Sequence, residues 1–127
     1  MLPPLPYEGS SFDLVYAVSV FTHLTEQAQL LWMVELARII RPGGLLLLTV
    51  HGDRYLGKLT AAERRRYEEG RLVVRHASGS GTNLCSAFHP AAFLRERLSA
   101  DFVLVEHTTG GFERGAPEQD LVVLRKP

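Results

Sequence analysis

Two apolar runs separated by one amphipathic segment constrain the fold of this chain more than any other feature. The first run extends from Phe12 to Val20 and the second from Leu45 to Val50. Between them, apolar residues recur at helical spacing from Thr25 to Ile40, and the segment ends at Arg41-Pro42-Gly43-Gly44. This order predicts a strand, a helix of about four turns, a tight turn and a second strand. The strands should therefore belong to a right-handed βαβ unit, buried on both faces in a parallel sheet.

The rest of the chain predicts smaller elements. Helices are expected over 60–69 and 90–98, a short extended segment over 72–75, and strands over 102–108 and 121–124. The glycine-rich connection between the last two strands suits an antiparallel hairpin at the edge of the sheet. Residues 52–86 contain a charged helix and a Gly/Ser run, and we interpret them as a variable excursion on the substrate side.

Composition limits what the chain can bind. With 127 residues, 46% of them hydrophobic, the chain has the size of one domain, covering residues 1–127. Fourteen basic and fourteen acidic residues cancel, which argues against a dedicated nucleic-acid or acidic-membrane binder. The longest apolar stretch is too short for a membrane helix, and the N-terminus does not resemble a signal peptide. The single cysteine, Cys85, excludes an intramolecular disulfide, so we expect a cytoplasmic protein with a small or neutral partner.

Three consecutive motifs resemble one enzyme family. They are Leu5-Pro6-Tyr7-Glu8-Gly9-Ser10-Ser11-Phe12-Asp13-Leu14-Val15, then Ser19-Val20-Phe21-Thr22-His23-Leu24, then Leu36-Ala37-Arg38-Ile39-Ile40-Arg41-Pro42-Gly43-Gly44-Leu45. In this order they resemble the fourth strand, the following helix and the fifth strand of class I (Rossmann-like) S-adenosylmethionine-dependent methyltransferases. The resemblance implies an α/β sheet of strand order 4-5-7-6 with flanking helices and an antiparallel last strand.

The same resemblance implies an enzyme and a cofactor. The expected reaction is methyl transfer from S-adenosylmethionine to an oxygen or nitrogen of a small molecule or sugar, with S-adenosylhomocysteine as product. No metal is needed for this chemistry.

The chain also departs from the family pattern. The family's Gly-x-Gly-x-Gly cofactor loop, which should precede Leu2, is not in this sequence, so the chain resembles a C-terminal half only. A sheet cut at this point would expose the strand over 12–20 as an edge, which invites pairing with a second copy or with the missing half. The rival hypothesis is therefore a non-catalytic remnant, or an interaction module that pairs through this edge.

The resemblance places the cofactor's methionine part at the end of the first strand. The cofactor-side candidates are Ala17, Val18, Ser19, Phe21 and His23. An alternative for Ser19 and Phe21 is that they end a strand and pack on the helix, and an alternative for His23 is that it caps that helix.

Ligands of open α/β sheets bind outside the carboxyl ends of the strands, which makes the loop after Val50 the second candidate region. His51 is the expected catalytic base, because a neutral imidazole can accept a proton from the attacking hydroxyl or amine. Tyr55 could line the same opening, or belong to a solvated loop.

Two further residues are candidates for binding the acceptor. The segment 81–90 resembles one that covers the acceptor pocket in some of these methyltransferases, several linked to sugar biosynthesis. There Asn83 and His89 could form hydrogen bonds to a polyol, although His89 could equally be a structural cap of the next helix. Cys85 is expected to be a buried small residue rather than a nucleophile.

Overall fold

A computed structural model describes residues 2–127. Its helices are α1 (Glu26–Ile39), α2 (Ala61–Glu68) and α3 (Ala91–Phe93), the last continuing into a π-helical segment at Leu94–Leu98. Short 3-10 helices lie at Phe21–His23, Asp53–Lys58 and Ala77–Gly79. The strands are β1 (Phe12–Ala17), β2 (Ile40–Val50), β3 (Val73–Arg75), β4 (Ser86–Phe88), β5 (Val103–Thr108), β6 (Phe112–Glu113), β7 (Ala116–Pro117) and β8 (Asp120–Arg125).

The main sheet has four strands in the order β1-β2-β8-β5. Strands β1 and β2 are parallel, and β8 is antiparallel to both β2 and β5. The expected mixed α/β fold class is confirmed, with the last strand antiparallel between β2 and β5. Two small antiparallel ribbons, β3-β4 and β6-β7, accompany the sheet.

Within residues 2–127, helices cover only one face of the main sheet. Leu46, Leu48 and Val50 of β2 are fully buried and share a core cluster with residues of α1 and of the α3 region. On the opposite face Tyr16 is 71% exposed, and Leu14 and Leu45 are also exposed. The prediction that both strands are buried on both faces is therefore wrong. The same apolar residue types occur on the two faces, so sequence alone could not reveal which face lacks a covering layer.

The first strand is shorter than predicted and lies at the edge of the sheet. It ends at Ala17 rather than Val20, and it pairs with β2 alone among the described strands. The end of α1 also differs from the prediction, because β2 already begins at Ile40 and includes the expected turn residues. Gly43 has φ of +81°, and its N–H donates to the carbonyl oxygen of Lys126, the residue after β8. The Pro-Gly-Gly segment is thus an irregular start of β2 that is tied to β8.

Helix starts follow the sequence closely. Thr25 caps α1, accepting a hydrogen bond from the Ala28 N–H, and Thr60 with Glu63 forms a capping box at the start of α2. None of the helices in residues 2–127 is long and apolar enough to cross a membrane.

Candidate active site at the carboxyl edge of the sheet

The parallel pairing of β1 and β2 brings their following loops to the same edge of the sheet. The loop after β1 is bonded directly to β2, since the Ser19 N–H donates to Thr49 Oγ1 at 2.8 Å. Ser19 has a left-handed backbone with φ of +54°, which is uncommon for a residue other than glycine. Outliers of this kind cluster at ligand sites.

His51 directly follows β2 and is only partly exposed. Its Nδ1 lies 3.0 Å from the carbonyl oxygen of Ala87, just before the end of β4. A carbonyl oxygen only accepts, so in the neutral ring the proton resides on Nδ1 and the lone pair on Nε2. No hydrogen bond to Nε2 occurs within residues 2–127. Nε2 is therefore the atom at which His51 can accept a proton.

The surroundings of His51 keep its ring neutral. Burial lowers the pKa of His51 to about 4, and the nearby His23 and Lys58 act in the same direction, while the Ala87 carbonyl opposes them. The rings of Tyr55 and Phe88 pack against it, with centroids 4.3 and 5.3 Å away. Near neutral pH this histidine is an unprotonated base.

His23 is held in the same way as His51. Its Nδ1 lies 2.8 Å from the carbonyl oxygen of Cys85, two residues before Ala87. Carbonyl groups two residues apart in an extended chain point to the same side, so one segment holds both histidines. Thr25, not His23, caps α1, so the capping alternative for His23 is wrong.

The remaining cofactor-side candidates lie around the end of β1. Val18 and Ser19 are exposed, and Ala17 is half-buried against the core. Phe21 is only 2% exposed and packs in the core, as its alternative interpretation expected. Its side chain therefore does not face an open cleft.

Among the acceptor-side candidates, Tyr55 packs its ring against that of His51, and the His89 N–H donates to the His51 carbonyl at 2.7 Å. Burial, with Asp120 and Glu118 nearby, raises the pKa of the Tyr55 phenol, and its hydroxyl donates to the carbonyl oxygen of Pro117 at 3.1 Å. Asn83 is exposed and forms no side-chain hydrogen bond within residues 2–127.

The structure does not support substrate binding by His89. The side chain is fully buried, and its Nε2 lies 3.0 Å from Gln29 Oε1. The amide of Gln29 donates to two backbone carbonyls, so its oxygen must accept from His89. His89 does not cap the next helix either, because the capping position is Pro90. Cys85 is buried, and burial raises the pKa of its thiol, in agreement with a structural role.

The connection between β5 and β8 crosses this edge of the sheet. We call residues 110–119 the strap. Arg54 donates to the Gly110 carbonyl at 2.8 Å and lies over the Phe112 ring, and Gln119 Nε2 donates to Ser19 Oγ at 2.7 Å. Together with the Tyr55 contact, these bonds join the strap to the loops after β1 and β2.

Three residues at this edge of the sheet carried no functional signal in the sequence: Thr49, Gln119 and Asp120. Gln119 and Asp120 reach the site only because β8 lies beside β2, a pairing between residues about 70 positions apart. Gly52, directly after His51, was the one available hint, since glycine after a strand often permits close approach. No group of three or more potential metal ligands occurs among residues 2–127.

Comparison with known proteins identifies the fold. Residues 2–48 match the family model described as a methyltransferase domain. An S-adenosylmethionine-dependent methyltransferase of Methanosarcina mazei is 18% identical over 97% of this chain and 63% of its own, with a TM-score of 0.64. The 1,6-didemethyltoxoflavin-N1-methyltransferase of Burkholderia thailandensis, solved with S-adenosylhomocysteine, is 17% identical over 94% of this chain and 46% of its own, with a TM-score of 0.67.

A third similar structure is the N-methyltransferase NodS of Bradyrhizobium japonicum in complex with S-adenosylhomocysteine. It is 19% identical over 91% of this chain and 46% of its own, with a TM-score of 0.52. The chain thus spans between about half and two thirds of the length of these structures. The chain has the fold of class I, Rossmann-like, S-adenosylmethionine-dependent methyltransferases, and its residues 2–48 match the methyltransferase domain family.

Proposed function

We propose that this chain forms the acceptor side of an S-adenosylmethionine-dependent methyltransferase site, with His51 as its general base. The observation that carries the proposal is the state of the His51 ring. Its Nδ1 is engaged by the Ala87 carbonyl, its Nε2 is free of protein partners within residues 2–127, and burial keeps it neutral. A neutral imidazole with a free Nε2 can accept a proton without first losing one, while the burial that lowers its pKa also makes it a weaker base.

The chemistry follows from that arrangement. When bound, S-adenosylmethionine would supply its methyl group to a lone pair of the acceptor oxygen or nitrogen, and the bond to sulfur would break to leave S-adenosylhomocysteine. The proton of the acceptor passes to Nε2 of His51 and from there to solvent. Most of the rate enhancement comes from holding the two substrates in line.

The cofactor's methionine part is assigned to the loop after β1. Val18 and Ser19 offer exposed backbone there, and His23 lies close enough to His51 to affect its pKa. The left-handed backbone of Ser19, held by Thr49 and Gln119, gives this loop a fixed shape. The Burkholderia and Bradyrhizobium structures, which hold S-adenosylhomocysteine, support the choice of cofactor.

The acceptor is proposed to be a small molecule. Two of the similar structures are N-methyltransferases by name, which supports nitrogen as one accepting atom. Tyr55 and the strap would line the acceptor's approach to His51. Asn83 keeps its proposed role in polyol binding only if the acceptor extends to the exposed end of the 81–86 segment.

Calorimetric titration of the 127-residue chain with S-adenosylhomocysteine tests the proposal, with light scattering to fix the oligomeric state. Adenosine is the matched control ligand, because it lacks the amino-acid part assigned to the loop after β1. We expect binding with a Kd on the order of micromolar, tighter than that of adenosine. Equal affinity for both ligands would overturn the assignment of the loop, and no heat with either would overturn a cofactor role for this chain.

A second function is favoured by one observation, the exposed apolar edge. Leu14 and Tyr16 on β1 are exposed beside Leu45 of β2, and no other described strand pairs with the free edge of β1. An interaction module that pairs through β1, with a second copy or with another chain, would cover this surface. Light scattering without cofactor tests pairing with a second copy, since a module of that kind self-associates without any ligand.

A further inference from the structure

Asp120 is a buried acidic residue that the proposed reaction does not use. It is the first residue of β8, is 2% exposed, and its Cα pairs with that of Val50, the residue before His51. Its Oδ2 accepts from Nε2 of His107 at 2.7 Å, and its Oδ1 accepts from the Gly110 N–H at 2.9 Å. Both oxygens are thus occupied, as a buried carboxylate requires.

The carboxylate of Asp120 also lies against the backbone that follows His51. A Cβ atom built on Gly52 would lie 2.0 Å from Oδ2 of Asp120, closer than any real contact. Only glycine fits between the carboxylate and the chain at this point. The position of Asp120 therefore fixes the path by which the chain leaves His51.

This path also determines which ring packs on the base. The Gly52 carbonyl accepts from the Tyr55 N–H at 3.0 Å, which begins the 3-10 helix at Asp53–Lys58. That turn places the Tyr55 ring 4.3 Å from the His51 ring. His51 is held on one side by the Ala87 carbonyl and on the other by a turn that rests on Asp120.

We propose that Asp120 is a positioning residue for the His51 base, acting through the backbone of Gly52 without touching the reacting atoms. The proposal rests on the proposed function of His51. A misplacement of about 1 Å at a reacting group can lower the rate roughly 100-fold, so a fixed backbone next to the base matters for catalysis. Asp120 joins that backbone to β5 through His107 and to the strap through Gly110.

The test is the state of the His51 ring in the 127-residue chain, measured by nitrogen NMR of the histidine side chains. In the unaltered chain we expect His51 to give the signals of one neutral species with its proton on Nδ1. In Asp120→Asn the ring nitrogen shifts of His51 should move toward those of the exposed His76. The amide has only one accepting oxygen and cannot accept from both His107 and Gly110, so the side chain should leave its place against Gly52. Asp101→Asn, at an exposed site, is the matched control and should leave them unchanged.

A second variant addresses the same backbone from the other side. Gly52→Ala should move the His51 signals in the same direction as Asp120→Asn, whereas Gly57→Ala should not, because a Cβ at Gly57 meets nothing within 4 Å. Unchanged His51 signals in both Asp120→Asn and Gly52→Ala, even with a lowered melting temperature, would show a purely structural role and overturn the proposal. The readout needs no cofactor, so failure here is distinguishable from failure of the methyltransferase assignment.

Discussion

The Nδ1 atom of His51 lies 3.0 Å from the carbonyl oxygen of Ala87, although the two residues are 36 positions apart. This contact assigns the proton to Nδ1 and leaves the lone pair on Nε2, the atom that would accept the proton of a methyl acceptor. A second histidine, His23, makes the equivalent contact to the carbonyl of Cys85. One short segment thus orients two imidazoles at the edge of the sheet where ligands of this fold bind.

Replacing His51 by glutamine removes the base while keeping a hydrogen-bond donor near Ala87. We expect methyl transfer to fall roughly 100- to 10,000-fold, the usual contribution of a general base, with S-adenosylhomocysteine affinity nearly unchanged. Single-turnover transfer of a labelled methyl group, with a panel of small amines and alcohols as acceptors, provides the measurement. Equal turnover of the variant and the original chain on any accepted substrate would remove His51 from its catalytic role.

The stability of the chain should depend on pH through its buried histidines. Burial lowers the folded pKa of His51 to about 4 and that of His89 to about 3, from an ordinary value near 6.5. As the pH falls below about 6.5 the unfolded chain binds protons first, so stability is present above that value and is lost as pH falls toward 4.

Urea unfolding at several pH values checks this dependence. His51→Gln and His89→Gln should each flatten the loss of unfolding free energy between pH 6.5 and 4. His76→Asn replaces an exposed histidine and should keep the original slope. If the unfolding free energy of His51→Gln and His89→Gln falls with pH as steeply as that of the original chain, these histidines are not buried in their neutral form.

Much of the βαβ unit could be predicted from sequence, and the site only in part. The helix and its two strands follow from apolar spacing, which is a local property, and His51 follows from its place after a strand. The burial of His89 could not be predicted, because it depends on Gln29, 60 positions away. Gln119 and Asp120 were missed for the same reason, since their roles arise only when β8 pairs beside β2.

Gln119→Ala should loosen the loop after β1. The substitution removes the hydrogen bond to Ser19 Oγ, worth roughly 1 kcal/mol, and leaves the left-handed Ser19 held by Thr49 alone. We expect faster amide hydrogen exchange over residues 18–20 and severalfold weaker binding of S-adenosylhomocysteine. Gln27→Ala, on the exposed surface of α1, is the control. Equal amide exchange rates over residues 18–20 in the two variants would show that the strap has no part in shaping the loop.

Tyr16→Lys tests whether the exposed edge of β1 promotes self-association. Tyr16 is 71% exposed on the uncovered face, and a charge there should oppose apolar contact between copies. Any oligomer of the 127-residue chain should shift toward monomer in sedimentation experiments. Val34→Lys, at a 62% exposed position on α1, should not shift it. Dissociation by both variants, or by neither, would argue against pairing through β1.

In the proposed site, the cofactor binds at the carboxyl edge of β1 and β2, beside His51. Amide NMR of the 127-residue chain, titrated with S-adenosylhomocysteine to millimolar concentration, locates the site directly even if binding is weak. We predict saturable shifts confined to residues 17–23 and 49–52, with smaller shifts in the strap. Saturable shifts elsewhere, such as on α2, or no shifts at the highest concentration, would contradict cofactor binding at this edge.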